Sequence, residues 1–98
     1  MELSINIPGN IGPVDRGRLF ADPLNAALTA AGAGKTGDEG TQMGIVDGKL
    51  AVVSCDIMVT DTDLDRALTV IREVMKGAGA PASTTITQFE PEKVVHTL

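Results

Sequence analysis

Ile45-Val46-Asp47-Gly48-Lys49-Leu50 decides the fold. Asp-Gly between apolar residues is the strongest short signal for a two-residue β-hairpin, because both central residues of such a turn need positive φ. A strand therefore ends at Val46 and another begins at Lys49. The second runs on through Leu50 to Val59, with Ala51, Val53, Cys55, Ile57 and Val59 on one face and Leu50, Val52, Ser54, Asp56 and Met58 on the other. With a two-residue turn, cross-strand partners have numbers that sum to 95, as Val46 and Lys49 do. Met43 then faces Val52, Ile45 faces Leu50, Thr41 faces Ser54 and Glu39 faces Asp56.

Working outward, Leu3, Ile5 and Ile7 alternate with Glu2, Ser4 and Asn6, which reads as a half-buried strand ended by Pro8-Gly9. Pro8 to Ala21 holds three Gly and two Pro without a sustained period, so a loop is expected there, with at most a short turn near Arg16 to Phe20. Asp22-Pro23 starts a helix whose Leu24, Ala27, Leu28 and Ala31 share a face and which Gly32 ends. The polar, glycine-rich Gly34 to Gly44 leads into the hairpin. On the other side, Thr62 with Asp65 resembles a capping box, with Asp61 a rival cap. Leu64, Ala67, Leu68, Ile71, Val74 and Met75 then follow at helical spacing until Gly77. Ser83 to Phe89 alternates around Ile86 as a fourth strand, and 90–98 reads as a C-terminal tail. The order β-α-β-β-α-β is the split βαβ of the ferredoxin-like α+β fold. It predicts a single domain over 1–98, with a four-stranded antiparallel sheet ordered 4-1-3-2 and two helices on one face.

Composition narrows the function. Ninety-eight residues support one core, and 43% apolar with 21% charged residues is a globular balance. Phe20 and Phe89 are the only aromatic residues, and 8 basic against 13 acidic residues leave a net charge of −5. Both features argue against nucleic acid and anionic membranes and favour a basic partner. Cys55 stands alone, which excludes an intramolecular disulfide and suits a reducing cytoplasm. The N-terminus carries no signal-peptide pattern, and no window is apolar enough to span a bilayer.

Most motifs read as structure. Ala33-Gly34-Lys35-Thr36 resembles the end of a phosphate-binding loop, but Thr29 stands where the first glycine belongs, a helix precedes it and a hairpin follows. His96, near the C-terminus, is expected to be solvated and idle. Cys55 is expected in the helix-covered core as a small hydrophobe. The facing acids Glu39 and Asp56 have the chemistry of a metal or acid/base pair, yet a screened strand end explains them better. Asp61, Asp63 and Asp65 lack the glycine and distal glutamate of a calcium loop and suit a helix N-terminus. No cofactor or metal is implied.

One surface does not read as scaffold. Met43, Ile45, Leu50, Val52 and Met58 are placed together on the sheet face away from the helices, where a monomer shows polar side chains. A partner surface is expected there, unless the tail folds across it through Val94, Val95 and Leu98. Asp38, Glu39 and Asp56 would supply the acidic rim. The expectation is a protein-binding module, without enzymatic residues, whose partner is a second copy across the open sheet face or a basic protein. The alternatives are a dimeric small-molecule domain of the ACT type, with 8–21 and 34–44 lining the pocket, and an acylphosphatase-like enzyme using Arg16 or Arg18.

Phe20-Ala-Asp-Pro-Leu24, Gly37-Asp-Glu-Gly40-Thr41 and Gly79-Ala-Pro81 together resemble a set of short, mostly uncharacterised bacterial proteins, some of them similar to immunity proteins of interbacterial toxin systems. The resemblance implies a small acidic inhibitor that neutralises a toxin by binding it. It carries over no catalytic residue.

Overall fold

A computed structural model describes residues 1–98. Its strands are β1 (Glu2–Pro8), β2 (Gly34–Val46), β3 (Lys49–Asp61), β4 (Thr85–Gln88) and β5 (Val94–Thr97). The helices are α1 (Pro13–Arg16), α2 (Asp22–Ala31) and α3 (Leu64–Gly77), with a π-helical turn (Gly17–Ala21) joining the first two. The strands form one antiparallel sheet in the order β2-β3-β1-β4-β5. The architecture is α+β, but the sheet has five strands rather than the expected four. The segment expected as a tail pairs with β4, Gln88 opposite Val94 and Thr85 opposite Thr97, and so does not cross the open face. Leu98 instead packs against the core.

That core lies on one side of the sheet. Leu3, Ile5 and Ile7 of β1 pair with Val59, Ile57 and Cys55 of β3, and all six are fully buried. Leu24 and Leu28 of α2 and Ala67, Ile71 and Met75 of α3 close over them in the same cluster. The α3 start differs from the expected box. Asp63 is the cap, accepting from the Arg66 N–H at 3.2 Å, while the Thr62 hydroxyl donates to the Gly32 carbonyl and ties the two helices together.

The expected loop from Pro8 to Ala21 shrinks to Gly9–Gly12, because a helical run begins at Pro13 and continues to Ala31. Proline at the first position needs no donor. Pro23 is therefore inside this run rather than at its start. It cannot donate to the Leu19 carbonyl, and its ring would crowd that group. The turn ahead of it is widened, with the Asp22 N–H donating to Gly17 five residues back, and the chain passes into α2 without breaking.

Two register shifts reshape the hairpin. Near the turn the expected pairs hold, Ile45 with Leu50 and Met43 with Val52. Gln42, however, faces Ser54, so Val53 is an extra residue in β3, and a compensating residue lies in β2 between Thr36 and Glu39. Glu39 therefore faces Ile57, Asp56 faces Gly40, and Thr41 faces Cys55. The expected Glu39–Asp56 and Thr41–Ser54 pairs do not form. Because Thr41 opposes a core residue, alternation along β2 puts Met43 and Ile45, with Val52 and Leu50, on the helix side of the sheet. Met58 and Asp56 stay on the open side, so the five-residue patch read from the sequence is divided between two faces.

At the far end of the hairpin, Gly34 has φ +155° and runs so close to β3 that a Cβ there would collide with the Thr60 carbonyl oxygen. Gly34→Ala is expected to lower unfolding free energy by about 1–3 kcal/mol in urea titrations.

Candidate functional site: the projecting hairpin arm

β1 stops pairing with β3 at Pro8 opposite Ser54, and the Gly9 N–H makes one last bond to the Val53 carbonyl at 2.8 Å. Residues 43–52 then pair only with each other, as a two-stranded ribbon beyond the sheet and the helices. The molecule is accordingly elongated, 43 × 29 × 22 Å. On the helix side of this arm Met43, Ile45 and Leu50 are 51%, 71% and 68% exposed. Val46 and Val53 are exposed as well, and Val53 lies against Gly44, in the space a Cβ would take.

Arg16 anchors the base of the arm. It is 8% exposed, and three of its five N–H donors are taken: Nε donates to Glu39 Oε1 at 2.9 Å, and Nη1 donates to the Gly40 carbonyl at 2.9 Å and to Thr41 Oγ1 at 2.8 Å. The last residue of α1 is thus bolted to β2 where the arm begins. Of the two arginines expected to serve an acylphosphatase-like site, Arg16 is buried in this clamp and Arg18 is exposed and paired with Asp15 at 3.3 Å. Sequence reading missed the clamp, since the stretch holding Arg16 carries no helical period; Pro13 after Gly12 was the available signal of a helix start.

The acids divide as the faces do. Asp38 is exposed beside the arm, and Glu39 is held by Arg16. Asp56 is on the open side, where Asn6 Nδ2 donates to Oδ1 at 2.8 Å and Gln42 Nε2 donates to Oδ2 at 2.7 Å. Asn6 also reaches Ser54 Oγ at 3.3 Å. Both Asp56 oxygens are thereby engaged by neutral amides in a lateral network across three strands.

Other singled-out residues lie elsewhere. His96 is not idle: its Nε2 is 3.0 Å from Gln88 Oε1, and Gln88 Nε2 donates to the Glu90 carbonyl, which fastens β5 to β4. An open cleft of about 350 Å³ lies at the opposite end of the hairpin, lined by Thr29, Gly32, Gly34, Lys35, Thr60 and Thr62. Of the stretches expected to line a ligand pocket, 8–21 contributes nothing to it and 34–44 only its first two residues. Cys55 is fully buried, and burial pushes its thiol above the ordinary value, with the Arg16 charge drawing it partly back.

No protein-family model, curated protein or solved structure matches the chain.

Replacing Arg16 with Leu leaves Glu39, Gly40 and Thr41 without their donor and is expected to cost about 1–3 kcal/mol in urea titrations, with faster amide exchange over 13–19. The Cys55 thiol should resist alkylation in the native protein and react at once in denaturant. The unfolded chain loses this proton at lower pH than the folded chain. Stability is therefore full below the ordinary thiol value and falls as pH rises through the folded one, which denaturation series at alkaline pH will measure.

Proposed function

We propose that this chain is a protein-binding module that grips its partner with the β2–β3 arm, on an elaborated ferredoxin-like scaffold working in a reducing cytoplasm. The observation that carries the reading is the exposure of Met43, Ile45 and Leu50 on one face of a ribbon that nothing in the chain covers. Each such side chain contributes on the order of 1.5–3 kcal/mol when fully buried, and a folded chain rarely leaves several together in water without use. Asp38 beside the arm and the net charge of −5 suit a basic partner, since acidic fields speed encounter while buried apolar anchors hold the complex. A toxin-neutralising inhibitor of the immunity type is the biological form the sequence resemblance supports.

The test is a binding titration against the product of the neighbouring gene, with Leu50→Asp as the variant. Association should weaken by more than about 2 kcal/mol while helix content and the unfolding midpoint hold, because the arm lies outside the core. An unfolded variant would place Leu50 in the core, and unchanged affinity would remove the arm from the interface.

A further inference from the structure

We infer that the free edge of the arm pairs antiparallel with the same edge of a second copy, about a two-fold axis at Gly44. The inference rests on the arm identified above as the binding element and names its occupant. β2 ends the sheet on that side, so its outer backbone groups have no partner strand. Sheet edges are ordinarily blunted by charge, proline or bulges. The base of β2 has such protection: Asp38 and Glu39 lie there, and the strand bulges after Thr36. From Thr41 to Val46 there is none, since Thr-Gln-Met-Gly-Ile-Val holds neither charge nor proline and pairs regularly from Met43 on.

Hydrogen-bond alternation fixes which groups are free. In a two-residue hairpin the residues flanking the turn, here Val46 and Lys49, exchange bonds with each other. Ile45 and Met43 are then the non-bonded positions of the ladder, and their N–H and C=O groups point away from β3. Placing Met43 opposite Ile45 of the second copy, and the reverse, satisfies these groups and sets Gly44 opposite Gly44. The same register puts the second copy's Asp47 opposite Thr41, on the side where Arg16 lies. The second copy's Lys49, paired to its own Val46, is in the row of Gln42 and two strands away from it. The paired stretch from Thr41 to Val46 carries no charge in either copy, so along it two acidic chains meet where neither brings an acid. The overlap from Thr41 to Asp47 is about 23 Å long, which puts the contact at the small end of specific interfaces. Directly opposed residues share a face, so Met43, Ile45, Leu50 and Val52 of both copies join into one apolar surface that stays open to a further partner.

Two measurements test the pairing. Sedimentation of the native chain from about 1 µM to 1 mM should show monomer passing to dimer, with the Met43 and Ile45 amides exchanging at least about tenfold more slowly in the dimer. In the proposed register the two Gly44 Cα atoms are about 4.5 Å apart, within disulfide reach, so Gly44→Cys, made together with Val53→Ala to clear the space its Cβ needs, should cross-link under mild oxidation and Gly40→Cys in the same background should not. A chain that stays monomeric throughout, a dimer whose Met43 and Ile45 amides remain unprotected, or cross-linking at position 40 in preference to 44 would overturn the inference. A monomer whose Leu50→Asp variant still loses the foreign partner would leave the binding-module reading intact while removing this one.

Discussion

β1 offers seven residues, Glu2 to Pro8, to a β3 of thirteen, and this difference in length governs the molecule. Where the two strands pair, three apolar residues of each meet the helices and form the core. Where β1 stops, at a proline and a glycine with φ +126°, the hairpin has no third strand and no helix over it. Isolated two-stranded ribbons are marginal in water. This one is held by its rigid base, where Arg16 joins α1 to β2, and by the Asp47-Gly48 turn with φ of +51° and +75°.

The turn, α3 and the core faces of β1 and β3 were legible in the sequence because each rests on local chemistry: positive-φ residues, a 3.6-residue period, a two-residue period. The Val53 bulge was not. Leu50 to Val59 carries apolar residues on both faces, so either register satisfies the pattern, and one added residue leaves no mark in composition. That residue reverses the faces of everything beyond it. Met43, Ile45, Leu50 and Val52 were recognised as an unusual apolar group yet assigned to the open side, where of the five only Met58 lies.

The helical run from Pro13 to Ala31 was hidden for a different reason. Gly17 and Pro23 are both poor helix residues, and together they read as a loop followed by a start. A π turn reconciles them, because it moves the Asp22 donor to Gly17 ahead of the proline. Phe20 and Ala21 of this turn are buried, and the register so set brings Arg16 over β2. The clamp that positions the arm thus depends on a tertiary contact that no local pattern announces. The same holds for β5, whose four residues are strand only because β4 and the His96–Gln88 contact hold them.

Charge explains how an arm of this kind coexists with a discrete protein. Residues 41–53 contain one acid, Asp47, and one base, Lys49, so the ribbon is neutral and the net charge of −5 resides wholly in the body. Bodies repel one another, and the repulsion between exposed charges fades beyond roughly 8 Å at physiological ionic strength. Contacts that bring body against body are penalised, whereas contacts made by the arm, which projects past the core, hold the acidic surfaces apart. The two edges differ in the same sense. β5 is a four-residue edge, too short to template much pairing, while β2 is protected along its base and bare only on the arm. Association is thereby confined to one neutral, apolar element, and salt that screens the bodies has little to screen there.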